Sequence, residues 1–358
     1  MSTPATQPPH TAWPRAVVLG IVLAAVVGLI VMAFSWPSVT SSPRDLPIAI
    51  AGSGEQVDAV ASALEQNAEG VFAITTVADR DAAVALIEQR QAYGAIILVD
   101  TPEVLTASAA SPASNQLMVQ LHAQIQAIVQ EAVDAQATAA GITPPDVTVA
   151  LTDVVPLAST DSRGTGLTAA AFPLVLGGMI GGIAITIAIS GVWRRVVALF
   201  AYAIVAGLVI TSILQGWFGV LQGDYLTNTA AFSLTLLAMG ATIVGFGAIF
   251  GRPGIAVGPV LFLLIANPIA SAAAPKEFLP APWGEIGQWL PPGAGVTLIR
   301  DLSYFPSANA TFPWLVLTAW SVGGLILAAV GHYRNAGRLV LEEPASETDT
   351  TPEAASIA

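Results

Sequence analysis

Few residues in this chain have the types and spacing that chemistry needs. Gly52-Ser53-Gly54 follows a short apolar run and opens a helical pattern, the place where free backbone amides could hold a phosphate. The third glycine of a dinucleotide fingerprint is missing, and Glu55 and Asp58 follow at once, so a tight turn explains the stretch better. The histidines are His10, His122 and His332; His122 lies beside an apolar helical stripe and has no carboxylate at a helix-neighbour spacing. It reads as a structural or surface side chain, and no metal site is expected. The chain has no cysteine, which removes disulfides, thiolate ligands and thiol redox chemistry. It also lacks a Walker A sequence, so it cannot hydrolyse ATP by the P-loop route. With no nucleophile–base pair to assemble, the chain is expected to be no enzyme and to hold no cofactor.

The elements that would position these residues are mostly membrane spans. Of 358 residues, 54% are hydrophobic and 10% charged, against about 25% charged in soluble domains. Residues 16–34 form a first uncharged stretch, long enough to cross a hydrocarbon core of about 30 Å. Five more lie at about 168–192, 196–217, 229–250, 254–274 and 312–331, and none holds Asp, Glu, Lys, Arg or His. The fold class expected is therefore a polytopic α-helical membrane protein with six transmembrane helices, one followed by five, and an extracytoplasmic α/β domain between the first two. With a cytoplasmic N-terminus, Arg15, Arg194, Arg195, Arg252, Arg334 and Arg338 all fall on the inner face. Both termini are then cytoplasmic, and the setting expected is a bacterial plasma membrane. After Phe34, the sequence Ser35-Trp36-Pro37-Ser38 lacks a small-x-small site, so the first span reads as an anchor rather than a cleaved signal.

The net charge of −12 is concentrated in residues 35–165, which hold 15 acidic side chains and four arginines. Such a segment is expected to stay soluble and to repel anionic lipid and nucleic acid, and nucleic acid is not an expected partner. Strand-like and helix-like patterns alternate within it. Leu46 to Ala51 reads as a strand, Gln56 to Gln66 as a helix, Val71 to Thr76 as a strand. A helix N-capped by Asp79 follows, then a strand from Gly94 to Val99, a long helix from about Asn115 to Ala139, and a last strand within Asp146 to Val155. Strand–helix–strand units favour parallel pairing.

The spans carry packing and kinking signals instead of ionisable ones. Gly177, Gly178, Gly181 and Gly182 form two overlaid small-xxx-small pairs that admit a close neighbouring helix. Pro259 and Asn267-Pro268 remove backbone donors within the fifth span, so a kink or unwound turn that could line a pathway is expected there. Only Gln215, Asn267 and hydroxyl side chains are polar in the spans, which disfavours ion-coupled transport. Residues 275–311 read as an outer interfacial loop, with Leu279, Pro280, Trp283, Trp289, Leu290, Pro291 and Arg300 as its marked residues. The tails, 1–15 and 334–358, are polar and expected to be disordered.

This layout resembles the membrane subunit of type-2 ABC exporters, in the branch that includes the phage infection protein family and many actinobacterial permeases. One span, a large external domain and five further spans cover nearly the whole chain. Leu46 to Ala51 resembles the family's first external strand. The stretch from Asp79-Arg80-Asp81-Ala82-Ala83 through Tyr93-Gly94-Ala95-Ile96-Ile97 resembles its A-x-x-x-I-x-x-R-x-x-Y-G-A signature, and Leu279-Pro280, Leu290-Pro291 and Arg300 resemble the loop before its last span. The resemblance implies a homodimeric permease that pairs with a cytoplasmic ATP-binding subunit and exports a hydrophobic or cell-envelope substrate. Two features depart from it: the N-terminus is Pro-rich rather than an amphipathic helix, and the inner loop between the second and third spans is little more than Trp193-Arg194-Arg195. Arg194, Arg195 and Arg252 are the candidate docking contacts for the ATPase. The rival expectation is an envelope receptor or scaffold whose external domain binds a protein, polymer or phage component.

Overall fold

The computed structural model describes residues 11–98 and 102–341; at 132 and 335–341 only the backbone is described. The expected disordered tails thus lie largely outside the described residues, as do His10 and the Arg338 side chain. The first helix, α1 (Trp13–Thr40), begins with Pro14 in its opening turn, where the missing amide costs nothing. It exceeds the expected span at both ends. None of its most apolar window is buried, and its far end packs against the rest of the chain. There the Phe34 and Phe172 rings meet at 6.2 Å, Trp36 and Trp283 at 5.7 Å, and Ser42 N donates to Phe278 O at 3.1 Å.

Residues 46–153 build the α/β domain. Its elements are β1 (Leu46–Ala51), α2 (Gly54–Asn67), β2 (Phe72–Val77), α3 (Arg80–Glu88), β3 (Gly94–Ile97), β4 (Glu103–Thr106), α4 (Pro112–Ala140) and β5 (Ala150–Asp153). They form one sheet of order β2-β1-β3-β4-β5. The three strands linked by helices pair in parallel, as expected. β4 was not anticipated from sequence and runs antiparallel to β3, with Gly94 opposite Thr106 and Ile97 opposite Glu103. The connection from Ile97 to Glu103 is too short for a crossover, which takes a dozen residues or more, so only a hairpin can close it.

Strand alternation divides the core. Leu46, Ile48, Ile50, Ile96 and Val104 face α2 and α4, packing on Val57, Met118 and Leu121. Ala49, Ala51, Ala95, Ile97 and Leu105 face α3 and share a continuous core with Leu298 and Ile299 of the helical part. The sheet therefore stands on the helices through its α3 face. A ladder on α4 holds the chain leading into β5: His122 Nε2 meets Val149 O at 2.9 Å, Gln126 Oε1 accepts from Val149 N at 2.7 Å, and Gln130 Oε1 accepts from Val147 N at 2.8 Å. These residues stand four apart on one helix face and do the work of a strand neighbour.

The helical part consists of α5 (Thr165–Ala188), α6 (Val192–Thr211, extended by a wider turn, Ser212–Trp217), α7 (Tyr225–Phe250), α8 (Arg252–Ile255), α9 (Trp283–Gln288), α10 (Pro291–Tyr304) and α11 (Thr311–Leu341). With α1, five helices among the described residues are long and apolar enough to cross a membrane. The fifth expected span, 254–274, is not a single helix. α8 leads into a π-wound stretch, Pro259–Ala266, and the chain then turns at 267–270, where Ala270 N donates to Asn267 O at 3.2 Å. Pro259 and Pro268 cannot donate to a helical ladder, and a Cβ at Gly258 would lie 2.6 Å from Ile243, so the backbone rides close on α7. α11 runs on to Leu341, beyond the boundary expected at 333.

α7 is the axis: most of its length is buried, against α5, α6, α10 and α11. Small residues set these distances. A Cβ at Gly245 would stand 2.4 Å from Gly324 O, and one at Gly324 would stand 2.4 Å from Ala241 C, so α7 and α11 touch backbone to backbone.

A cavity at the joint between sheet and helices

Asp79 caps α3 by accepting from Ala82 N at 2.9 Å, which fixes where the helix starts and therefore where its exit turn falls. In that turn Arg90 takes a left-handed backbone, φ 57°, and sends its guanidinium towards α10. Arg90 Nη1 donates to Asp301 Oδ1, and its guanidinium carbon lies 5.4 Å from the centre of the Phe305 ring. Tyr93 donates its hydroxyl to Glu277 Oε2 at 3.2 Å, and Ser111 Oγ donates to Ala273 O at 3.1 Å. Three polar contacts thus tie the sheet domain to the stretch 273–301.

On the helical side, Pro291 and Pro292 start α10, where the fixed proline φ suits the first turn. α10 lies along α7: a Cβ at Gly295 would come within 2.6 Å of Thr235, and one at Gly223 within 2.4 Å of Leu302 O. Its C-terminal half presents Arg300 and Asp301 to the joint. Both are buried, an arrangement that costs several kcal/mol per charge unless partners are supplied.

Burial pushes the Asp301 carboxyl above its ordinary range, against the pull of Arg90. Burial opposes the charge on Arg90 too, but Asp301, Tyr93 and Glu277 outweigh it and raise its pKa. Burial and the charge of Glu277 raise the Tyr93 hydroxyl, so it stays a donor. Arg300 fares differently. Burial, helped by the like charge of Arg90, lowers it to about 10, a cost of roughly 3 kcal/mol for keeping it charged. It is 4% exposed, only its Nη2 donates, to Ala272 O at 2.8 Å, and its Nε is buried without a partner.

These side chains line a cavity of about 520 Å³ between the sheet domain, the turn at 271–277, α9, α10 and the start of α11. Ser271 lines it with a left-handed backbone, φ 56°, and a buried hydroxyl that has no partner. Gln288 accepts from Thr297 Oγ1 at 2.6 Å. At the rim, Lys276 pairs with Glu285 at 2.7 Å, and the exposed Trp289 ring meets Phe312 edge-on at 4.9 Å. Among the described residues, no group of three His, Asp or Glu side chains could hold a metal.

The sequence-derived candidates separate into three places. Arg194 and Arg195 open α6 and Arg252 opens α8, with Arg195 Nε bound to Ile189 O at 2.7 Å. Trp193 meets His332 at 6.1 Å and Arg334 reaches Ile249 O, so these cations gather at the end of the bundle away from the sheet domain. Gly178 faces Met239, Gly182 faces Gly240 and Ile243 of α7, and Gly177 and Gly181 lie against Tyr202 of α6, whose hydroxyl donates to Gly177 O at 2.7 Å. Pro259, Asn267 and Pro268 mark the broken stretch.

The stretch expected as an outer interfacial loop folds around the cavity. Leu279, Pro291 and Arg300 are buried, Pro280 and Leu290 are half-buried, and only Trp283 and Trp289 of its marked residues are exposed. The Gly52-Ser53-Gly54 turn caps itself, Gln56 Oε1 accepting from Ser53 N at 3.1 Å and from Ser53 Oγ at 2.9 Å. Sequence reasoning missed Arg90, Asp301, Glu277 and Ser271 as partners. Arg90 and Tyr93 do occupy the Arg and Tyr of the pattern quoted above, and Arg300-Asp301 is a charged pair inside an otherwise apolar stretch. Comparison of the chain with protein families, with curated proteins and with solved structures gives no match.

Proposed function

We propose that this chain is the membrane-spanning permease subunit of an ABC-type exporter, a homodimer in a bacterial plasma membrane that moves a hydrophobic or cell-envelope substrate outward. The observation that carries the reading is the joint. An apolar stretch broken at Pro259–Ala266 leads straight into the turn that bears Ser271, Ala272 and Ala273, and the sheet domain grips this turn through Ser111 and α10 through Arg90. Motion of the broken stretch would therefore reach the cavity and the sheet domain together. The five described helices long and apolar enough to cross a membrane carry Asp, Glu, Lys, Arg and His only near their ends, if at all, so a proton or sodium relay through the bilayer lacks the groups it needs. Energy would come from a separate cytoplasmic ATP-binding subunit docked at the Arg194, Arg195 and Arg252 end, with both termini on that side and the sheet domain outside.

The test is purification of the tagged full-length protein in mild detergent, with its partners identified and ATPase activity assayed. A stoichiometric P-loop ATPase, lost on Arg194→Glu/Arg195→Glu, is the expected result. Recovery without any ATPase across several detergents overturns the export reading in favour of a receptor or scaffold.

A further inference from the structure

We propose that the cavity at the joint binds the anionic head group of a membrane amphiphile, with its apolar tail leaving past Trp289 and Phe312 along α11. As cargo the amphiphile rests on the export reading; its binding does not.

The lining carries three cations, Arg90, Lys276 and Arg300, against three carboxylates, Glu277, Glu285 and Asp301, so hydrogen bonding rather than net charge selects an anion. Asp301 accepts from Arg90, Glu277 from Tyr93, and Glu285 from Lys276, so each lining carboxylate already has a donor. Arg300 has none of them. Among the described residues its one hydrogen bond is to a backbone carbonyl and its Nε has no partner, and it is 4% exposed. The Ser271 hydroxyl is a second buried group without a partner. Buried polar groups in folded proteins are almost always satisfied, so two orphans lining one cavity mark a missing acceptor. A phosphate or carboxylate oxygen would complete Arg300 with a charge-assisted bond and give the Ser271 hydroxyl something to donate to. Both left-handed non-glycine residues at this joint, Arg90 and Ser271, line the same cavity, and strain of that kind persists where the surroundings hold it for a purpose.

The mouth of the cavity selects an apolar tail. Trp289 is 61% and Phe312 40% exposed. From Phe312 the outward face of α11 continues through Leu315, Val322 and Ile326, all exposed. The spacing of three, seven and four residues keeps them on one helical stripe. A soluble anion would use Arg300 and leave this stripe idle; a lipid in the bilayer uses both.

Native mass spectrometry of the full-length protein in detergent tests this, titrating dioleoyl phosphatidylglycerol, dioleoyl phosphatidylcholine or inorganic phosphate. The wild-type protein is expected to retain phosphatidylglycerol at least tenfold more tightly than phosphatidylcholine, and phosphate at millimolar concentration is expected not to displace it. Arg300→Gln is expected to abolish the preference, Ser271→Ala to weaken it about threefold, and Arg194→Gln to leave it intact. Equal retention of the two lipids by the wild-type protein, which needs no variant to fold, overturns the proposal. So does an undiminished preference in a folded Arg300→Gln protein. Displacement by phosphate overturns the amphiphile in favour of a soluble anion. None of these readouts requires the ATPase, so failure here and failure of the export reading are told apart.

Discussion

Arg90 and Asp301 stand 211 positions apart and form an ion pair whose side chains are 17% and 7% exposed. One partner hangs from the exit turn of α3 and the other projects from α10, so the pair bolts the sheet domain to the helices. Removing one member of a buried pair leaves the other without compensation. Asp301→Asn is expected to destabilise the protein by about 3 kcal/mol, and the Arg90→Gln/Asp301→Asn double variant by less than the sum of the two single changes. Thermal unfolding of the four proteins in one detergent measures the coupling, and strict additivity would show that the pair contributes nothing.

Arg300 is expected to behave in the opposite way. Its charge is held at a cost, so Arg300→Met should raise the melting temperature by about 1–3 °C, as a recovery of 1 kcal/mol or more would do in a chain of this size. A lower melting temperature would mean that the bond to Ala272 O outweighs desolvation.

The contact of α7 with α11 makes a paired prediction. Gly324→Ala drives a methyl into the α7 backbone and should cost about 1–3 kcal/mol. Gly323→Ala meets open space and should be neutral or stabilising by up to about 1 kcal/mol, the ordinary gain of alanine over glycine in a helix. Equal effects of the two substitutions on unfolding would contradict the packing described here.

Glu103 gives a prediction in pH. Arg80 grips it through two bonds, at 2.7 and 3.2 Å, and Thr152 Oγ1 donates a third. These hydrogen bonds, Arg80's first, hold its pKa below the ordinary carboxylate range although partial burial opposes them. The folded state therefore binds the proton less readily than the unfolded one. The resulting stabilisation is complete above the unfolded value of about 4.3 and is lost as pH falls through the lower folded value. Arg80 is 45% exposed, so solvent screening limits the effect, and Glu103→Gln should cost about 0.5–1 kcal/mol at pH 7. Stability curves of the two proteins should draw together as pH falls below about 4.3; a gap that does not narrow on acidification would assign the effect to packing.

The sheet domain was largely legible because its signals are local. Asp79 announces α3, Gly94 begins β3, and the even spacing of Leu46, Ile48 and Ile50 gives β1 its face. β4 escaped because four residues beginning with a glutamate, Glu103 to Thr106, carry too little pattern, and their pairing is decided by a tight connection rather than by propensity. The broken stretch was foreshadowed by Pro259 and Asn267-Pro268, yet its interruption depends on Gly258 lying against Ile243, a contact that periodicity does not encode. The cavity was the least legible part. Arg300 was singled out, but Arg90, Tyr93, Ser271 and Asp301 come from segments far apart in the chain, and only the fold brings them together.

The five described strands and the three helices that cover them lie within residues 46–153, whereas the counter-charge of Arg90 is residue 301. At a synthesis rate of about 5–20 residues per second, Asp301 is made roughly 10–40 s after Arg90. The sheet domain must therefore mature with its charged underside in water. The joint and its cavity close last, when α10 arrives, so a ribosome that stalls before residue 301 leaves the α3 face of the sheet without part of its shared core and Arg90 without its counter-charge.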